Sequence, residues 1–410
     1  MSVSPESNSP VRGVTPAAPG NPIVRRLRAY GLAPRILGID IARGLAVIGM
    51  FGAHIGVTVP WNWLEPSTWL DVVHGRSSIL FALLAGVSIA ILSGALTPVA
   101  GNRLLQARVR ILVRAGLIFA IGGLLESLGT RIAVILPVYA LLFVVTIPVL
   151  RWRSRSLFLL AGALAVVSPV IHVFLAPLPD TVLSREGAFP NLVFWGAYPA
   201  VIWVVFVLVG LGIGRLDLRA PRVQGSILGA GVALAILGYG AGDLAWDAIG
   251  RTFGDPGMRS STADYAGQVE FGSLFTTAAH SGSTFEVVGS TGFALTVLGL
   301  CLLVATRLRW LLYPVAAVGA MALTAYTVHV VVLAALGDDA FEQQDNTLYL
   351  VFVAAALLGC TLWTILVGRG PLERLLTTLS RRVAVAAVGR NESASFRAPT
   401  LDTEPQQGES

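Results

Sequence analysis

The chain has 410 residues, of which 55% are hydrophobic and only 13% charged, with a mean hydropathy of +0.74. A soluble domain carries about 25% charged residues, so a water-soluble globular protein is excluded, and the fold class expected is an all-α, polytopic integral membrane protein. The net charge of +6 comes entirely from arginine, and the arginines fall between apolar runs, which is a topology signal and gives no reason to expect a nucleic-acid partner.

Residues 1–35 are rich in Pro, Ser and Gly and end in the basic VRRLRAYGLAPR, so they read as a disordered basic cytoplasmic tail. No apolar core with a cleavage site precedes the first long apolar run, and no removable signal peptide is expected. A span needs about 20 mostly apolar residues. Ten segments meet that need: 36–58, 76–97, 110–127, 132–150, 156–175, 194–214, 224–246, 288–306, 311–336 and 347–367. The pair 110–127 and 132–150 is joined by the short LGTR and reads either as a tight hairpin or as a re-entrant pair. Residues 36–367 therefore form one transmembrane helical domain with an outer loop at 247–287, and 368–410 form a cytoplasmic basic segment and disordered tail. Cys301 and Cys360 lie in apolar runs, where each acts as a small hydrophobe. No metal-ligand spacing is present, and no permanently bound cofactor is expected.

Arginine placement sets the orientation. With the N-terminus cytoplasmic, 23 arginines fall on inner segments and 5 on outer ones, with Arg43 inside the membrane. Both termini are therefore expected on the cytoplasmic side of a multi-pass protein in the plasma (inner) membrane. Trp61, Trp63 and Trp69 in the first outer loop suit an interfacial belt or a binding role.

The first apolar run, LGIDIARGLAVIGMFGAHIG, keeps Asp40, Arg43 and His54. A charge at mid-bilayer costs at least about 2.5–3.5 kcal/mol, so such residues are rare and mark function. Eleven helical steps return His54 to nearly the face of Arg43, about 16 Å further along the axis, and Asp40 lies close to the same face. This stripe must face the bundle interior. It reads as a packing pair plus a satisfied histidine or as a functional stripe, and the cost of a third ionisable group favours function.

Four further groups could carry chemistry, each with a bland alternative: an interfacial His74 with Arg76 as a helix-end anchor, a solvated loop His280, a core His329 bonded to a backbone carbonyl, and arginines that only set topology. His74 and Arg76 open the second helix, with Asp71 one turn before His74 and placed to orient its ring as a general base. His280 and Glu286 sit among small hydroxyl residues before the eighth span, suited to contacting an acceptor. Tyr326 and His329 lie one turn apart within the ninth. Arg103, Arg108, Arg110 and Arg114 crowd the first cytoplasmic loop, either as topology signals or as a grip for phosphate.

GIDIARGLAVIGMFGAH followed by LFALLAGVS resembles the transmembrane acyltransferase superfamily, which includes heparan-alpha-glucosaminide N-acetyltransferase and the bacterial membrane O-acyltransferases. The bacterial O-acyltransferases share an Arg, ten residues, then a His in the first helix, matched by Arg43 and His54, and an Arg-rich first cytoplasmic loop, matched by Arg103 to Arg114. In the heparan-type branch an Asn stands at the His54 position, and the histidine comes from the loop between the first two helices, where this sequence has Glu65. The resemblance implies cytoplasmic acyl-CoA, acetyl-CoA above all, as donor and an extracytoplasmic envelope glycan or glycolipid as acceptor. Arg43, Asp40, Arg76, the loop arginines, His280, Glu286, Tyr326 and His329 would bind donor or acceptor, with His54, His74 and Asp71 catalytic. Transfer through an acyl-histidine and direct transfer with His54 as base both stay open. The alternative function is a proton-coupled transporter that uses the buried Asp/Arg/His stripe as a relay. A homo-oligomer is compatible with either.

Overall fold

The structure, a computed structural model, describes residues 35–59, 61–175, 178, 187–249, 252, 271–342 and 346–395. Residues 1–34, most of the outer loop and 396–410 lie outside them, so the expectations for both tails and for that loop fall largely outside the described residues. Every regular element among the described residues is helical.

In chain order these are α1 Leu37–Ile55, a 3-10 helix Pro66–Val73, α2 Arg76–Leu92, α3 Gly101–Glu126, α4 Leu136–Val145 and α5 Ser154–Leu175. A short helical segment Ala188–Trp195 leads into α6 Ala200–Ile213, and α7 runs Pro221–Ala248. Then come α8 Thr284–Val304, α9 Tyr313–Ala320, α10 Ala322–Leu336, α11 Thr347–Leu366 and α12 Pro371–Ser395. Six helices are long and apolar enough to cross a membrane, or eight if each of two bent pairs is one span. Those pairs are Ala188–Trp195 with α6, bent by 59°, and α9 with α10, bent by 82°. The protein is a multi-pass membrane protein.

Two of the ten expected spans take another form. The run expected at 110–127 belongs to the longer α3, which carries Arg103, Arg108, Arg110 and Arg114 and buries a stripe of Leu104, Ala107, Ile111 and Ala115. It is amphipathic and not uniformly apolar. The run expected at 132–150 contracts to the ten-residue α4, opened by Pro137 and followed by a 3-10 turn around Pro148, which cannot donate to a continuing helix. The turn between them still reaches the end of the bundle where α10 finishes, since Arg131 pairs with Asp338 at 3.4 Å and Glu342 at 3.7 Å. The tail expected from 368 begins as a packed helix, α12.

Burial explains the layout. Helix α1 is buried along most of its length and packs against α2, α8, α9, α10 and α11. Helices α7 and α11 bury few residues and form the rim, as helices facing hydrocarbon do. The α1–α9 contact depends on Gly44 and Gly319, where the backbones touch. A Cβ on Gly319 would fall on the Asp40 carbonyl, and one on Gly44 on the Val315 carbonyl. Small residues permit such approach between membrane helices. Gly319→Leu should therefore destabilise the protein by at least about 1–3 kcal/mol, read as a lowered melting temperature in detergent. Gly359→Leu, at a site with nothing within 4 Å, should leave it unchanged. Equal melting of the two variants would contradict the packing described.

Candidate active site

The stripe on α1 is anchored near the start of the helix by a clamp. Arg43 Nη1 donates to Asp40 Oδ1 at 3.1 Å and to the Gly319 carbonyl at 3.3 Å, while Nη2 donates to Ser88 Oγ at 3.1 Å. Arg35 approaches the other Asp40 oxygen at 3.8 Å. One guanidinium thus ties α1 to α2 and to the end of α9, beside the bend into α10. Asp40 and Arg43 form the packing pair that the stripe allowed for, with Ser88 as a third member.

At the other end of α1, His54 meets His329 of α10. The two rings stack with centroids 5.1 Å apart and planes at 9°, and His54 Nδ1 lies 2.9 Å from His329 Nε2. The protons follow from the neighbours. His329 Nδ1 is 2.7 Å from the Tyr326 carbonyl, which only accepts, so that nitrogen carries the hydrogen. In a neutral His329, Nε2 is then the acceptor, and His54 Nδ1–H donates to it. The lone pair of His54 is left on Nε2, which has no hydrogen-bond partner among the described residues. Phe51 packs on the His329 ring at 4.6 Å and holds it in place. His329 is almost fully buried, whereas His54 is only half-buried. This is a histidine with a fixed tautomer and a free basic nitrogen, the arrangement a general base or nucleophile needs.

His74 pairs with His280, their rings 5.5 Å apart and edge to face. Asp71 does not orient the His74 ring: it meets His74 through the backbone, where His74 N–H donates to the Asp71 carbonyl at 3.1 Å, because the 3-10 turn ends there. Glu286 is also spoken for. Its carboxylate accepts from His280 N–H at 2.9 Å, Gly282 N–H at 2.7 Å and the Ser281 hydroxyl at 3.4 Å, while Ser283 Oγ accepts from Glu286 N–H at 2.9 Å. Ser283 is thus the N-cap of α8, its own N–H donates to Ser281 Oγ at 3.3 Å, and the Glu286 carboxylate reaches further back to fix the loop that presents His280. Gly75 makes room for that loop: its φ of +70° opens α2, and a Cβ there would press on Ala279 and His280. Partial desolvation, and then the neighbouring His74, push the His280 imidazole below its ordinary value and keep it neutral at pH 7. The residue remains partly exposed, which limits that shift. Arg76 donates through Nε to Tyr239 Oη at 2.8 Å and lies over the Tyr239 ring, and Tyr239 bonds Ser290 at 2.9 Å.

The two histidine pairs are joined by tyrosines. Tyr326 lies against His54 and His329, Tyr198 lies 5.8 Å from the His280 ring, and Tyr198 and Tyr326 are electrostatic neighbours of each other and of Tyr139. Four of the five histidines in the chain therefore lie along one polar path through the bundle. The fifth, His172, bonds the Phe194 carbonyl at 2.8 Å. On α3, Arg103 and Arg108 are exposed, while Arg110 and Arg114 are half-buried against α12.

Residues 35–240 match a family model described as heparan-alpha-glucosaminide N-acetyltransferase, catalytic, which covers half of the chain. The chain belongs to that family. It is a membrane acyltransferase by that membership. Residues 260–382 match a second family model, described as a protein of unknown function (DUF418). No curated protein matches the chain.

The acyltransferase segment holds Asp40, Arg43, His54, Asp71, His74, Arg76 and the α3 arginines. The segment of unknown function holds His280, Glu286, Tyr326 and His329. Each histidine pair takes one ring from each segment. Ser88, Tyr139, Tyr198, Tyr239 and Ser290 join the site without having been singled out in the sequence. Ordinary hydroxyl residues in apolar helices carry no local signal, and only their helical neighbours reveal them.

Proposed function

We propose that the protein transfers an acyl group, acetyl or another short acyl, from cytoplasmic acyl-CoA to an extracytoplasmic envelope glycan or glycolipid. The observation that carries this reading is the His54–His329 pair, with the free Nε2 of His54 at its head. In direct transfer, Nε2 takes the proton of an acceptor hydroxyl or amine as its oxygen or nitrogen attacks the thioester carbonyl. The carbon–sulfur bond breaks, and the imidazolium returns the proton to the departing CoA thiolate. The Nδ1–H bond to His329 is kept throughout, so the charge forms with its partner in place. General-base action of this kind contributes about 10²–10⁴-fold. In the two-step variant Nε2 itself attacks, forms an acyl-imidazole and releases CoA before the acceptor arrives. The α3 arginines would face the phosphates of the donor, and the His74–His280 pair, Tyr198 and Arg76 would receive the acceptor.

An apolar cavity of about 480 Å³ between α5, α6, α7 and α8 reaches Val287 and Thr291, just beyond Glu286. Its size and lining suit a hydrocarbon chain, which favours a lipid-borne acceptor. The orientation proposed, with both termini cytoplasmic and the histidine pairs toward the outer face of the plasma membrane, makes a direct prediction. A thiol reagent that cannot cross membranes should label Asn62→Cys in intact cells and Arg153→Cys only after permeabilisation. The opposite pattern would invert the topology.

The transporter alternative has one specific observation in its favour, the 82° bend between α9 and α10 beside the Asp40–Arg43 clamp, since broken helices mark many carriers. Purified protein in liposomes separates the two readings. Acyltransfer predicts acceptor-dependent release of CoA thiol with no proton flux. Proton flux without thiol release would support the carrier.

A further inference from the structure

The end of the bundle where α3 meets α12 holds a concentration of positive charge that no acidic group among the described residues neutralises. Along α3, Arg110 and Arg114 sit one turn apart on the side that meets α12. Arg110 lies within electrostatic reach of Arg381 of α12, and Arg114 within reach of Arg110 and of Arg369, which lies two residues before α12; Arg369 and Arg381 are exposed. None of the four has an acidic partner among the described residues. The acid at the start of α12, Glu373, is engaged elsewhere: its carboxylate accepts from Thr324 N–H at 3.0 Å and the Thr324 hydroxyl at 2.6 Å. Arg114 Nε reaches only the Ser380 hydroxyl, at 3.5 Å, and Arg110 Nε is buried with no hydrogen bond.

A chain gains nothing by packing four like charges together. Like charges brought near one another repel, the more so where solvent is partly excluded. Yet α12 is held in place by apolar packing, since Leu376, Ser380, Ala384 and Val388, spaced by four, are its buried residues. That stripe turns the arginine-bearing edge of α12 toward α3 and not away from it. One buried guanidinium nitrogen without an acceptor, Arg110 Nε, beside three further guanidinium groups suits an anion with several oxygens, and guanidinium groups match phosphate two bonds at a time.

We propose that the α3–α12 groove is a phosphate-binding site in which Arg369 and Arg381 of the C-terminal segment complete the pair Arg110 and Arg114. The ligand is a phosphate anion from one of two sources, the diphosphate of a soluble nucleotide or the headgroup of an anionic phospholipid. The inference rests on the acyl-CoA reading above only for which nucleotide fills the site. It also gives the segment of unknown function a task at this end of the molecule.

The test uses the full-length protein in neutral detergent or nanodiscs, with ADP and phosphatidylglycerol as separate probes. Arg369→Gln with Arg381→Gln should weaken ADP binding by about tenfold or more, with a shallower dependence on salt. Arg153→Gln with Arg155→Gln, an equal loss of charge on an inner loop, should leave ADP affinity unchanged. Unaltered melting temperatures would show that both variants are folded. Phosphatidylglycerol binding that depends on the same arginines, without ADP binding, would assign the lipid headgroup as ligand and keep the site, while removing the nucleotide anchor from the donor reading. ADP binding that is equal in wild type and Arg369/Arg381 variant, or lost equally in the Arg153/Arg155 control, would overturn the site and leave the acyltransferase reading standing. No binding of either probe to wild type would overturn it as well.

Discussion

His54→Ala should lower turnover by about 10²–10⁴-fold while acyl-CoA still binds with unchanged affinity. The size of the loss is that of a general base or nucleophile removed from a site whose other parts remain. The binding half of the prediction follows from position. His54 lies at the end of α1 opposite the Arg43 clamp, and its ring meets His329 and Tyr326, so its loss takes no phosphate contact from the donor. Single-turnover measurements with bound acyl-CoA separate the two halves. A variant that binds acyl-CoA weakly but turns over normally once saturated would move His54 from chemistry to donor binding.

The second large effect is expected at His329, whose Nε2 lies 2.9 Å from His54 Nδ1 and so positions that ring. His329→Leu removes the acceptor for His54 Nδ1–H and frees the imidazole to rotate and to change tautomer. Where an orienting partner fixes the tautomer of a catalytic histidine, its loss costs up to about 10⁴-fold; here kcat should fall by about 100-fold or more, with KM for the donor unchanged. His329→Gln offers a carbonyl oxygen at a similar reach and should recover part of that loss. A purely structural role predicts a different pattern, with both variants equally impaired and both melting early. The Leu and Gln variants therefore decide between positioning and packing.

How much of this was legible in the sequence depended on whether the signal was local. The α1 stripe was, because three titratable groups in a hydrocarbon-bound segment need a reason to be there. The pairing of His54 with His329 was not, because 275 residues separate them and nothing in either helix names the other. Both histidines were candidates; their bond, and the tautomer it sets, came from the fold. Glu286 shows a local signal read for the wrong purpose. Ser283-x-x-Glu286 is a helix-start pattern, and the carboxylate spends its oxygens on the loop that carries His280. Asp71 failed for a related reason, since the spacing of one helical turn holds only if the helix continues, and the 3-10 segment ends at Val73. The last helix was the largest omission. The four-residue spacing of Leu376, Ser380, Ala384 and Val388 lies openly in the sequence, but the arginines around it give the segment the composition of a polar tail. At 132–150 apolar length suggests a crossing, and the structure has the shorter helix Leu136–Val145, opened by Pro137 and followed by Pro148.

The two matched family segments acquire a physical relation from these contacts. His54 and His74 come from the acyltransferase segment, and their partners His329 and His280 from the segment of unknown function. The α1–α9 backbone contact at Gly44 and Gly319 joins the same two segments. The second segment is thus part of the site and not an appendage to it.

The central claim is that His54 performs acyl transfer from acyl-CoA across this bundle, and one measurement meets it most directly. Membranes containing wild-type protein or the His54→Ala variant at equal abundance are incubated with acetyl-CoA labelled in the acetyl group, and the label in the extracytoplasmic glycan and glycolipid fraction is counted. The account predicts label in that fraction with wild type and a reduction of at least about 100-fold with His54→Ala, while both proteins retain acetyl-CoA binding. Equal labelling by the two proteins would contradict it.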